Sequence, residues 1–132
     1  MRGALADAEV RPEQVGYVNA HGTGTPLNDR TEAAALRELF GAHTRDLLVS
    51  STKSMHGHVQ GAAGAIEAVA TLMALGNGVA PPTANHCEDD PECGLDVVPN
   101  EARPAEMEYA LSNSFGFGGL NAVLLFRRWA GA

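Results

Sequence analysis

The stretch AAGAIEAVATLMAL, residues 62–75, decides how the rest of the chain is read. Alanine, leucine and methionine, all strong helix formers, make up most of it and no proline interrupts it, which predicts a helix from about Ala62 to Leu75. Only Glu67 and Thr71 are polar, and four residues' separation puts them on one stripe. A helix that is apolar around nearly its whole circumference needs cover on every side. The 132 residues of the chain are few for that task, so the helix is expected to pack against something this sequence does not supply.

Two strand–loop–helix units flank this segment. Val15 to Ala20 (VGYVNA) is β-prone and runs into the turn-rich loop His21-Gly22-Thr23-Gly24-Thr25-Pro26. A helix is expected from about Asp29, with Asp29 and Glu32 as a capping box, Ala33, Leu36, Leu39 and Phe40 on one face, and Gly41 at its end. Leu47 to Ser51 reads as a second strand, followed by a loop over Thr52 to Gly61. Beyond the apolar helix, Pro81-Pro82-Thr83 and the acidic run Glu88 to Glu92 mark a surface loop. Leu95 to Val98 is a short strand candidate. Tyr109 to Ser114, the turn Phe115-Gly116-Phe117-Gly118-Gly119, and Asn121 to Arg127 read as a hairpin with a wide tip. The pattern is an α/β layer with an antiparallel edge.

Composition narrows the class. Hydrophobic residues at 45% and charged residues at 19% suit one globular domain rather than a disordered chain. A net charge of −7 argues against nucleic acid as a partner, which would need a basic face. No window approaches the ~18 apolar residues that span a bilayer, and Met1 to Pro12 has no signal-peptide core. The expectation is a cytoplasmic protein without membrane or nucleic-acid partners. Cys87 and Cys93 lack zinc-site spacing and read as free thiols.

Three constellations carry chemistry. In Asn19-Ala20-His21-Gly22-Thr23-Gly24-Thr25-Pro26, a histidine stands just past a buried strand among glycines and small hydroxyls, where a ligand can approach the backbone. The same residues also fit a strand-end histidine capped by its own loop; the GxGxxG spacing and lysine of phosphate loops are missing. In Ser50-Ser51-Thr52-Lys53-Ser54-Met55-His56-Gly57-His58, lysine and imidazoles crowd a helix start. A cation and the helix dipole there favour a neutral imidazole, which can donate Nε2–H to a developing oxyanion. A metal held by His56 and His58 is the alternative, although no carboxylate or cysteine lies close in sequence. In Asn113-Ser114-Phe115-Gly116-Phe117-Gly118-Gly119, aromatics flanked by glycine suit either a gate over an apolar pocket or a packed aromatic turn.

Taken in order, the three resemble the β-ketoacyl-ACP synthase family, in the elongating branch that fatty-acid enzymes share with polyketide ketosynthases. The resemblance runs from about Val15 to Arg127 and includes Pro81-Pro82-Thr83-Ala84-Asn85 and Asp96-Val97-Val98-Pro99. It implies a thiolase-like α/β fold, in which residues 1–132 form the C-terminal half, a mixed sheet packed on helices with a central buried helix. It implies that His21 and His58 hold the malonyl thioester carbonyl during decarboxylation, that Lys53 supports them, and that Phe117 is the gate. Gly116 and Gly118 would then belong to the oxyanion-hole turn, with Thr23, Thr25 and Phe115 supporting. Asn19, Glu67, Ser112 and Asn113 map onto a structural cation site, monovalent or divalent; no catalytic cofactor is implied. The expected partners are acyl carrier protein with its phosphopantetheine-linked substrates, the N-terminal synthase half that bears the nucleophilic cysteine, and a second copy in a homodimer. Cys87 and Cys93 lack helix-start surroundings and do not replace that cysteine. Leu120 stands where the family usually has threonine. A non-catalytic half-domain that binds a partner or carrier protein is the competing expectation.

Overall fold

The computed structural model describes residues 1–129 and 131. Four strands form the main sheet: β1 (Val15–Asn19), β2 (Leu48–Ser50), β5 (Tyr109–Phe115) and β6 (Asn121–Arg127), in the order β2-β1-β5-β6. β1 is parallel to both of its neighbours, while β5 and β6 form an antiparallel hairpin with Phe115 opposite Asn121. The minor strands β3 (Val79–Ala80) and β4 (Arg103–Pro104) pair antiparallel elsewhere.

Helices cover both faces of the sheet. On one side, α1 (Arg2–Asp7) and α2 (Pro26–Phe40) bury Leu5, Leu36 and Phe40 against Val15, Val18 and Leu111. On the other, α4 (Ala63–Asn77) sets Ala74 and Leu75 beside Tyr17, Ala110, Val98 and Met107. Alternation along β1 sends Tyr17 to one core and Val18 to the other, and a register shift between Val15 and Tyr17 goes with Val15 joining the Val18 side. The mixed sheet with helices on each face agrees with the α/β reading.

Local chemistry explains the element ends, with three departures from the sequence-based expectation. First, α2 begins at Pro26, three residues earlier than the capping-box reading places it, because Thr25 is extended and Pro26 is preset for the first helical position. Glu32 does not turn back to cap; it is buried and faces the end of β1. Second, the loop after β2 contains a single helical turn, α3 (Lys53–His56). Third, Leu95 to Val98 makes only isolated bridges, Asp96 to Leu48 and Pro99 to Thr83. The buried Val98 has a φ of 47°, which a β-branched residue in a strand cannot have, so the extended run breaks there.

The apolar helix behaves as its composition requires, up to a point. Gly78 closes α4 in the left-handed conformation. Glu67, Thr71, Ala74 and Leu75 are buried on the sheet, yet Ile66, Val69, Leu72 and Met73 remain exposed, Val69 at 58% and Met73 at 62%. Leu120 and Leu124 on the hairpin are also uncovered. A bare run of large apolar side chains on one helix marks an interaction face rather than ordinary surface. The isolated chain is therefore expected to self-associate at micromolar concentration. Replacing Val69 and Met73, one turn apart, with lysine should raise the monomer fraction in analytical ultracentrifugation. The melting temperature should stay within about 4 °C, since exposed substitutions change stability by roughly 0.5 kcal/mol or less.

Candidate active site

β1 and β2 end side by side, and their C-terminal loops deliver the polar residues to one place. Beyond β1 stands His21, buried, with its ring 5.7 Å from Phe115 and 5.5 Å from His58, the two imidazoles edge to face. Beyond β2, Lys53 opens α3 and sends its ammonium inward. Its Nζ donates to His21 Nδ1 at 3.3 Å and is ion-paired with Glu67 Oε1 on α4. Lys53 and Glu67 are both almost wholly buried, so the only polar stripe of the apolar helix meets the only buried lysine among the described residues. An isolated carboxylate at this depth would be costly, and the pairing removes most of that cost.

These bonds fix the tautomers. An ammonium can only donate, so His21 Nδ1 accepts and the neutral ring carries its proton on Nε2. The backbone N–H of Gln60 donates to His58 Nδ1 at 3.2 Å, which leaves His58 in the same Nε2–H form. Burial, with the Lys53 charge and then His58 adding to it against a smaller opposing pull from Asp29, holds the His21 pKa down to about 4. At neutral pH His21 is thus an uncharged donor. The two rings stand 5.5 Å apart, so their Nε2–H donors belong to one site.

The backbone of the His21 loop is held by a residue that the sequence reading assigned to helix capping. Glu32 accepts from the N–H of His21 at 3.0 Å, the N–H of Gly22 at 2.9 Å and Asn113 Nδ2 at 3.0 Å. One carboxylate therefore joins α2, the end of β1 and β5 directly behind the histidine. A signal for this existed: Glu32, Leu36 and Phe40 recur at i+4, so the charge lies in a buried stripe. Thr52 was also passed over, although its N–H and hydroxyl both donate to Asn19 Oδ1.

The remaining expected residues fall into three groups. Thr23 and Thr25 pair their hydroxyls at 2.9 Å on the exposed rim of the loop. Thr23, Lys53 and His58 line a cavity of about 680 Å³ that lies between α2, β2 and the acidic loop. That loop is strapped to α2 by Arg30, ion-paired with Asp90 and Glu92, and by Arg37 on the carbonyl of Glu92. At the hairpin tip, Gly116 N–H donates to Leu120 O at 2.7 Å and Gly118 takes a φ of 74°. Phe117 points fully into solvent, and it is Phe115 that touches His21.

The four residues mapped to a cation site show a mixed picture. Glu67 Oε2 and Asn113 Oδ1 are buried without a partner, the condition an ion would relieve. Asn19 instead spends its Oδ1 on Thr52 and directs Nδ2 to Glu67 O and Thr71 Oγ1, while Ser112 is buried nearby in sequence. Neither His56 nor His58 belongs to a cluster of three His, Cys, Asp or Glu that could hold a metal among the described residues. Cys87 and Cys93 are free, and burial followed by neighbouring carboxylates pushes the Cys93 thiol up, against the direction a nucleophile needs. No helix among the described residues is long and apolar enough to cross a membrane.

The α/β fold of this topology is thiolase-like, and two imidazoles and a buried lysine stand at its adjoining strand ends. Residues 1–87 match the family model "Beta-ketoacyl synthase, C-terminal domain", and the chain belongs to that family. It is 54% identical over 128 residues to Nodulation protein E of Rhizobium sp. (strain N33), covering 97% of this chain and 32% of that protein. It is 52% identical to 3-oxoacyl-[acyl-carrier-protein] synthase 2 of Synechocystis, covering 96% of this chain and 30% of that one. Among solved structures, a β-ketoacyl synthase from Burkholderia phymatum superposes with a TM-score of 0.92 at 44% identity, over 98% of this chain and 31% of the other. A type II polyketide ketosynthase in complex with its acyl-carrier protein gives a TM-score of 0.94 at 37% identity, over 97% and 31%. The chain spans about a third of the length of the relatives it matches.

Two outcomes test the geometry. Replacing Glu32 with alanine leaves two buried N–H groups and the Asn113 amide unpaired, and should cost about 3 kcal/mol in urea unfolding. Glutamine, whose one oxygen still accepts, should cost less. Separately, the folded pKa of His21 lies below its unfolded value near 6.5, so the unfolded chain binds the extra proton first. Stability contributed by the neutral ring is whole above pH 6.5 and falls as pH drops toward 4, by on the order of 2 kcal/mol once the full linkage value of about 3 kcal/mol is discounted for solvent screening. His21→Phe should flatten that part of the stability-against-pH curve.

Proposed function

We propose that this chain supplies the His-His-Lys side of a decarboxylating condensation site in a β-ketoacyl-ACP synthase of fatty-acid or polyketide type. The observation that carries the reading is the pair of Nε2–H donors, each with its Nδ1 already occupied by a fixed donor. Two neutral donors on one oxygen suit a thioester carbonyl that turns into an enolate. In the proposed cycle His21 and His58 donate to the carbonyl oxygen of a malonyl thioester carried by acyl carrier protein. The bond between the methylene and the carboxylate breaks, carbon dioxide leaves, and the electron pair enters the enolate held by the two N–H groups. The enolate carbon then attacks an acyl thioester on a cysteine from outside these 132 residues. A carbon–carbon bond forms, the carbon–sulfur bond breaks, and the thiolate departs, leaving a β-keto thioester on the carrier.

Lys53 has two tasks in this scheme. It fixes the His21 tautomer, and its charge keeps the ring from protonating, which would convert a matched neutral donor into an acid that quenches the enolate. The exposed Phe117 at the glycine-rich tip acts as the gate, while Gly116 and Gly118 let that turn present backbone N–H groups to the acyl thioester. Thr23 and Thr25 on the rim face the incoming phosphopantetheine arm. A structural cation at Glu67 Oε2 and Asn113 Oδ1 would complete the two buried oxygens and take no part in the chemistry. The bare faces of α4 and β6 are the docking surface for the cysteine-bearing synthase segment, and the whole assembly works as a homodimer. Retention of the complete Lys53–Glu67–His21 connection weighs against a purely non-catalytic binding module.

The test is a synthase assembled from this chain and a cysteine-bearing segment, given malonyl-ACP and acyl-ACP. His21→Ala and His58→Ala should each lower carbon dioxide release about 10²- to 10³-fold with little change in acyl loading of the cysteine. The 132-residue chain alone should give no condensation product, for lack of an acyl-enzyme. Undiminished decarboxylation by both variants would overturn the proposal.

A further inference from the structure

Ser51 lies at the end of β2, two residues before Lys53, and none of the steps above uses it. Its hydroxyl donates to the carbonyl of Gly22 at 2.6 Å. That carbonyl belongs to the residue immediately after His21, whose N–H is already held by Glu32 at 2.9 Å. Gly22 is thus gripped at both ends, by a helix carboxylate on one side and by the neighbouring strand-end loop on the other. The approach is close: a Cβ on Gly22 would stand 2.5 Å from Ser51 Cβ and 2.7 Å from its Oγ. Together with a φ of 39°, this leaves glycine as the residue that fits.

The Ser51 backbone is in turn anchored, so that its hydroxyl has a fixed origin. Its N–H donates to Thr83 Oγ1 at 3.2 Å, and its carbonyl accepts from Ser54 Oγ at 2.7 Å and Ser54 N at 3.1 Å. Thr83 passes the connection on to Val97 O, and Ser54 Oγ accepts from Ala84 N–H. The loop that carries Lys53 is therefore braced against the segments around Thr83 and Val97. Ser51 is the point at which that brace reaches across to the His21 loop.

We propose that Ser51 is a positioning residue: its hydroxyl clamps the Gly22 carbonyl and so sets His21 at hydrogen-bonding distance from Lys53. The two groups come from different loops, and their 3.3 Å contact lasts only while those loops keep a common register. Glu32 alone fixes the N–H side of the His21–Gly22 segment and leaves it free to pivot about that edge. Ser51 removes the pivot. Its role in turnover rests on the reading of His21 as an enolate-stabilising donor; the clamp itself does not, and is measured on the imidazole.

The experiment is ¹⁵N-histidine NMR of the chain over a pH series, with Ser51→Ala, Ser51→Thr and Ser54→Ala beside the unsubstituted protein. In the unsubstituted chain the His21 ring should remain a single Nε2–H tautomer down to about pH 5. Ser51→Ala should give a mixture of Nε2–H and Nδ1–H tautomers at neutral pH, because the Lys53 contact no longer holds Nδ1 as an acceptor. Ser51→Thr, which keeps the hydroxyl, should restore the original behaviour. Ser54→Ala, which loosens the anchor of Ser51 but leaves its hydroxyl on Gly22, should disturb the His21 signals less than Ser51→Ala does. If Ser51→Ala does not fold, Ser51→Cys, which holds the volume and weakens the donor, provides the comparison. An unchanged His21 in folded Ser51→Ala or Ser51→Cys, or an equal disturbance from Ser54→Ala, overturns the proposal. A synthase that proves inactive despite an intact clamp would instead count against the condensation reading.

Discussion

The ion pair between Lys53 and Glu67 holds the site together, since it ties the loop after β2 to the central helix. Both groups are nearly sealed from water, and transferring either alone to that environment would cost several kcal/mol. Neither can leave without stranding the other, so α3 and α4 stay in register. The lysine has donor capacity left after meeting Glu67 and uses it on His21 Nδ1. A charge that stabilises nothing on the surface thereby acquires a function inside: it fixes a proton on the far nitrogen of an imidazole. The electrostatics of the site follow from that geometry, because burial and the same lysine together keep the ring neutral.

Much of this was legible in the sequence, for identifiable reasons. β1, β2, the hairpin and the apolar helix all appear where periodicity and turn residues place them, because each has a strong local pattern. Membership in the β-ketoacyl synthase family was legible too, from three motifs whose order and spacing leave little room for coincidence. What local pattern could not show were contacts made across the fold. Glu32 reads as a capping residue beside Asp29, yet the helix begins at Pro26 and turns that carboxylate inward to the His21 backbone. Leu95 to Val98 has strand composition, but Thr83 and Asp96 draw it into bridges and a positive φ at Val98. Tertiary partners decided both cases, and propensity carries no information about them.

The same distinction separates the residues of the site. Histidine and lysine at strand ends attract notice because their side chains are chemically loud. Ser51 and Thr52 are quiet by comparison and are easily taken for loop filler. Yet Thr52 satisfies Asn19 with two hydrogen bonds, and Ser51 bonds the residue next to His21. Small hydroxyls serve here because two loops meet at van der Waals distance, where a longer side chain would force them apart. The glycine opposite Ser51 reflects the same lack of room.

The uncovered stripe on α4 completes the physical picture. Glu67 and Thr71 lie on the buried side of the helix while Val69 and Met73 lie on the open side, so the Lys53–Glu67 connection and the exposed apolar stripe share a single rigid rod. Anything that packs on the open side restricts the helix that holds Glu67, and through it Lys53 and His21. The Nε2–H donors of His21 and His58 are preset by bonds internal to this chain, so cover over the stripe need not create their geometry. The constellation is in place before anything packs on the helix, which is the condition for electrostatic preorganisation.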